Sequence, residues 1–237
     1  MMPQRLQREE YLKKLIAFQD KNIIKIITGI RRCGKSTLME IFQDHLRSTG
    51  VENSQILHIN FEDFDYRPLR DPAALHSYIT ERMTRDRMTY VFLDEIQHVP
   101  DWQDVVDSLH LRKNLDIYIT GSNAYLLSSE IATLISGRYV EIKMLPLSFR
   151  EFLDFHDFQV RVTNSALGGT RKQIFGKDNE PYEIREVFDA YLCFGGMPGI
   201  ADVGLDQERA FALLDGIYST VIMRDILERE KRRGQRQ

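Results

Sequence analysis

Gly29 and Gly34, with four residues between them, are followed at once by Lys35, Ser36 and Thr37 in the stretch GIRRCGKST. This is the full spacing of a phosphate-binding loop. Glycines there permit backbone conformations that a Cβ would block, so successive N–H groups along Ile30, Arg31, Arg32 and Cys33 can converge on phosphate oxygens. Lys35 reaches the β- and γ-phosphates of a nucleoside triphosphate as a point charge, Ser36 offers its hydroxyl to Mg²⁺, and Thr37 closes the loop. A helix that starts here aims its N-terminus at the anion. Arg31 and Arg32 are further candidates for anion contact or for pairing at an interface. Cys33 sits where mainly backbone is presented; a thiol near anion-binding N–H groups also raises redox sensitivity as a hypothesis.

A second constellation decides what bound phosphate would be used for. TYVFLDEIQ is an apolar run ending in Asp94 and Glu95. Asp94, at the carboxyl end of a strand, is suited to orient Mg²⁺ through its water shell, and Glu95 can polarise an attacking water. P-loop kinases for small molecules usually lack the second carboxylate, because water is the nucleophile they must exclude. The pair therefore favours hydrolysis of ATP. Further on, IYITGSNA ends a strand in polar residues. In P-loop ATPases of the additional-strand type, this fourth strand lies between the loop strand and the acid strand, and Ser122 or Asn123 fits the residue that senses the γ-phosphate. Arg138 opens the next strand and could complete a site, in cis or in a neighbouring subunit, as a charge-stabilising finger; a surface salt bridge is the alternative. The trans role implies a homo-oligomer.

These residues need elements to hold them. Short apolar, β-branched runs near 23–28, 56–61, 90–93, 115–120 and 139–144 alternate with stretches of helical period. That alternation predicts a mainly parallel sheet covered on both faces. KSTLMEIFQDHLRSTG places Leu38, Ile41, Phe42 and Leu46 on one helical face and stops at Gly50. Two more helices, DPAALHSYITERMTRD and DWQDVVDSLHLRK, each open on an Asp that can cap. Residues 1–155 are expected to form the phosphate-loop core. Residues 156–182, polar and Gly-containing without sustained period, read as a loop or linker. Residues 183–237 read as helical, broken at GGMPG, with an apolar stripe of Phe211, Leu214, Ile217 and Val221. That stripe packs back on the core or belongs to an incomplete C-terminal domain.

Composition sets the outer limits. The 237 residues are 43% hydrophobic and carry a formal net charge of -3, which gives no whole-chain attraction to nucleic acid or anionic membrane. Nucleic-acid binding would have to come from a local patch. The two cysteines, Cys33 and Cys193, form no disulfide framework by spacing. A reducing, cytoplasmic setting is the default expectation. No uncharged run approaches the roughly 20 residues that cross a bilayer.

Taken together, GIRRCGKST, INFED, VFLDEIQHVPDW, TGSNAYLLS, SGRYVEIKMLPLSFREFL and YLCFGGMPGI resemble the prokaryotic predicted ATPases of the AAA+ superfamily. The resemblance covers about residues 5 to 228. It implies an α/β, three-layer P-loop fold with a five-stranded parallel sheet in order 5-1-4-3-2, a small helical lid, and ATP with Mg²⁺ as ligand. Members are typically longer, with a further C-terminal domain.

Overall fold

The computed structural model describes residues 6–122, 137–164, 168–202 and 206–221. They divide into two compact units: residues 7–30 with 34–144, and residues from 145 onward, with which residues 31–33 group.

In the first unit the chain runs α1 (Glu9–Ala17), β1 (Ile24–Gly29), α2 (Lys35–Ser48), β2 (Ile56–Asn60), α3 (Pro72–Arg82), β3 (Thr89–Asp94), α4 (Trp102–His110), β4 (Leu115–Ser122) and β5 (Tyr139–Met144). The strands form one sheet in order β2-β3-β4-β1-β5, every neighbouring pair parallel. This is the expected order 5-1-4-3-2. All six residues of β1 and all six of β3 are buried, because parallel strands are covered by helices on both faces. On one face Ile26, Val91, Leu93 and Ile119 pack with Leu75 and Ile79 of α3 and Val106 of α4. On the other, Phe42 of α2 meets the rings of Tyr118 and Phe92 at centroid separations of 5.0 and 6.2 Å.

Helix ends follow local chemistry. Asp71 caps α3, its carboxylate accepting from Ala74 N at 2.8 Å, with Pro72 at the first helical position. Asp101, expected to cap α4, does not: it takes a left-handed φ of 47° and its side chain makes no cap bond. Gly50 follows α2 at a φ of +96°.

Lys25 and Asp116 are both buried, and each sits near the start of its strand. Their side chains pair, and Asp116 also accepts from Tyr118 OH at 2.8 Å and from Asp20 N at 2.9 Å. Burial pushes the Lys25 ammonium down from its ordinary value and the Asp116 carboxyl up, against the opposing pull of each partner's charge.

The second unit contains α5 (Phe149–Phe155), β6 (Gln159–Asn164), β7 (Thr170–Phe175), β8 (Pro181–Tyr182), α6 (Ile184–Phe194), α7 (Pro198–Asp202) and α8 (Gln207–Val221). Two expectations are corrected here. The boundary lies at 144/145, not 155, because Phe152 and Leu153 of α5 pack on Ile174 and Val187 of the second unit. Residues 156–182 are not a linker. Their described residues form a three-stranded antiparallel sheet, β6-β7-β8, whose period was hidden because Val160 and Val162 are exposed while Ile174 is buried. The stripe on α8 also differs: Ala210 and Ile217 are buried with Met197 and Ile200, and Phe211 is exposed.

LPLSF and GGMP meet in this unit. Leu147 N donates to Gly196 O at 2.6 Å and Tyr191 OH donates to Leu147 O at 2.9 Å. Ser148 and Glu151 form a capping box that starts α5. A Cβ on Gly196 would lie 2.2 Å from the Leu147 carbonyl oxygen, so only glycine permits the approach. Gly196→Ala is expected to destabilise the second unit by about 1–3 kcal/mol, as overpacking against backbone does. Denaturant unfolding checks this, and an unchanged midpoint would contradict the contact.

Candidate functional site

The site forms where β1, β3 and β4 end. β1 stops at Gly29, the chain turns through Ile30 to Gly34, and α2 begins at Lys35. Arg32 has a φ of 62° and Gly34 a φ of +98°, so the loop curls tightly. A curl of this kind is what lets consecutive N–H groups converge on an anion. The conformational demand falls on Gly34. Gly29 stays in the strand, buried, in register with Ser122 on one side and Met144 on the other.

No side chain caps α2 and no acidic residue lies in its first turn. The leading N–H groups of this 14-residue helix are therefore free of a competing carboxylate, which suits a phosphate. Lys35 is buried, its ammonium 3.3 Å from Gly29 O, 3.4 Å from Ile30 O and 3.6 Å from Glu95 Oε1. Ser36 is half-buried and Thr37 exposed on the same turn. Cys33 is buried, an arrangement that shields its thiol from oxidants; Arg32 is exposed and Arg31 half-buried.

Asp94 ends β3, fully buried. Its Oδ1 accepts from Thr120 Oγ1, and its Oδ2, also buried, has no hydrogen-bond partner. A buried carboxylate oxygen left unpaired is costly unless a cation or a donor meets it. Glu95 follows with a left-handed φ of 56°, a conformation that costs a non-glycine residue roughly 1–3 kcal/mol and concentrates at functional sites. Its N–H donates to Thr120 Oγ1 at 2.9 Å, its Oε2 accepts from Gln97 Nε2, and its Oε1 faces Lys35. INFED ends beside it: Asn60 is in register with Asp94, and Phe61 N donates to Asp94 O at 3.0 Å.

Of the residues singled out from the sequence, Gly29, Lys35, Asp94 and Glu95 are brought together, and the backbone of Ser122 is in register with Gly29. Asn123 lies outside the described residues. Arg138 is not part of this end. It is exposed and directly precedes β5, with its carbonyl accepting from Ile24 N at 2.9 Å. Because β1 and β5 are parallel, Arg138 stands beside the start of β1, roughly 20 Å from Gly29 at about 3.3 Å per residue. A cis finger is therefore ruled out by strand direction. His110 is held below its ordinary value first by burial and then by the charge of Arg138.

Thr120 and Gln97 were not singled out in the sequence. A hydroxyl inside the buried run LDIYITG was the available signal, since such a group needs partners. Thr120 supplies a donor to one acidic residue and an acceptor to the next.

This topology, with a loop between β1 and α2 and an acidic pair at the end of β3, two places away in the sheet, defines a P-loop NTPase fold. Residues 21–153 match the family described as an AAA domain, and the chain belongs to that family. It is 39% identical over 225 residues to an uncharacterized protein of Haemophilus influenzae, covering 94% of this chain and 51% of that one. It is 33% identical over 219 residues to an uncharacterized protein of Methanocaldococcus jannaschii, covering 90% and 44%. The chain thus spans about half the length of these relatives. The fold is similar to a Walker-type ATPase of Pyrococcus abyssi (TM-score 0.51, 19% identity, 98% of this chain and 77% of that one). It is also similar to Hsp104 in a closed state with ATPγS and casein (TM-score 0.53, 15% identity, 93% and 43%).

Thr120→Val removes the hydroxyl and leaves Asp94 Oδ1 and Glu95 N–H buried without it. A loss of about 1–3 kcal/mol in unfolding free energy is expected. Urea denaturation measures it, and a neutral result would mean that the bridge contributes nothing.

Proposed function

We propose that this chain binds ATP with Mg²⁺ and hydrolyses its terminal phosphoanhydride bond. The observation that carries the reading is the ammonium of Lys35 facing the carboxylate of Glu95 at 3.6 Å, beside the unpartnered oxygen of Asp94. Lys35 and the leading N–H groups of α2 bind the phosphates. Ser36 and Asp94 would hold Mg²⁺, a cation that the buried, orphaned Oδ2 of Asp94 fits. When bound, the ion neutralises charge on the phosphate oxygens. Glu95 accepts a proton from the attacking water through Oε1, and Thr120 keeps Asp94 and Glu95 in fixed relation. Ser122, whose backbone is in register with Gly29, or Asn123 would sense the γ-phosphate. Arg138 acts only in trans, on the site of a neighbouring copy. Nucleotide state is coupled to motion of the helical region from α6 onward and through it to a partner.

No helix among the described residues is long and apolar enough to cross a membrane.

Lys35→Ala is expected to bind no ATP at concentrations that saturate the parent protein, in equilibrium binding with a labelled nucleotide. Glu95→Gln should bind normally while phosphate release falls by about a hundredfold or more. Parental turnover by Glu95→Gln would remove the hydrolytic role and leave a nucleotide-binding switch. The trans role of Arg138 requires specific activity that rises with protein concentration and is lost in Arg138→Ala; activity independent of concentration would exclude it.

A further inference from the structure

Glu95 has a difficulty that its chemistry creates. A carboxylate acting as base must stay close to a substrate carrying several negative charges, which repel it. In the absence of phosphate Lys35 attracts Oε1, but the assigned role of Lys35 is to turn to the phosphates. Another group must then hold the carboxylate in place.

Gln97 is built to do this. It lies in a short 3₁₀ turn, Ile96–His98, that starts directly after Glu95, and its Nε2 donates to Glu95 Oε2. An ionised carboxylate only accepts hydrogen bonds, so the amide nitrogen must face it and the amide oxygen must point away. That oxygen is buried and has no hydrogen-bond partner. With Oε2 fixed by Gln97, Oε1 is the oxygen left facing Lys35 and the phosphate loop.

We propose that Gln97 is a positioning residue that holds Glu95 for base catalysis, its amide fixing one carboxylate oxygen so that the other faces the nucleotide. The proposal rests on the reading of Glu95 as the base. The left-handed φ of Glu95 belongs to the same device, since it turns the chain into the 3₁₀ segment that carries Gln97.

The test uses the 237-residue chain with Gln97→Met, which keeps length without a donor, and Gln97→Glu, which sets a like charge against Glu95. Thermal melting establishes which variants fold. In either folded variant kcat should fall by about tenfold or more, while affinity for a non-hydrolysable ATP analogue stays within about twofold. Gln97→Met added to Glu95→Gln should change the residual rate by less than about twofold, because Gln97 acts through Glu95. A merely structural Gln97 would weaken nucleotide binding or add its loss in the double variant, and either result overturns the proposal. Parental kcat in Gln97→Met overturns it too, leaving Glu95 as base if Glu95→Gln is impaired. If Glu95→Gln itself turns over normally, the reading of the base fails and this inference fails with it.

Discussion

With β4 hydrogen-bonded to β1 on one side and β3 on the other, the carboxyl ends of β3 and β4 come to lie beside that of β1, a strand far earlier in the chain. Everything chemical at the site depends on that insertion. β1 delivers the loop and Lys35, β3 delivers Asp94 and Glu95, and β4 delivers the Thr120 hydroxyl that joins the acidic pair. Were β1 and β3 direct neighbours, β4 would not stand between them and Thr120 would not lie between the loop strand and the strand it bridges. The cost is topological, since parallel strands in this order need long crossovers, and the helices that provide them supply the core on both faces.

The charges at this end are unbalanced in a useful way. Lys35 is satisfied by two carbonyls and a carboxylate, all weak enough holds for a polyphosphate to displace. Asp94 keeps a buried oxygen without a partner, and α2 begins without a capping side chain. At the opposite end of the sheet the polar groups are mutually paired: Lys25 with Asp116, and Asp116 with Tyr118 and Asp20. Asp94 thus keeps an unmet oxygen where a ligand could meet it, whereas the Lys25–Asp116 group is satisfied internally, which is the physical distinction between a candidate site and a structural ion pair.

Most of the sheet was legible because its strands are buried on both faces and so read as short apolar runs; the observed bounds of β5 are those expected. The Gly29–Thr37 spacing and the Asp94–Glu95 pair were legible because their chemistry is local to a few residues. What depends on pairing across the sheet was not. Thr120 matters through β3, and Gln97 through the turn that Glu95 makes. For Arg138 only the cis alternative fell away, because spacing along a chain does not say at which end of a strand a residue stands. The β6-β7-β8 sheet escaped because its valines face solvent, so alternation carried no burial signal.

The bond between Leu147 and Gly196 joins residues 49 positions apart and encloses α5, the antiparallel sheet and α6. Closing a loop of that length carries an entropy cost that grows only slowly with further length, but it comes before the contacts inside are complete. Folding of the second unit is therefore non-local by construction. As the chain emerges in synthesis, Leu147 must wait for Gly196, with α5 capped but its neighbours unplaced.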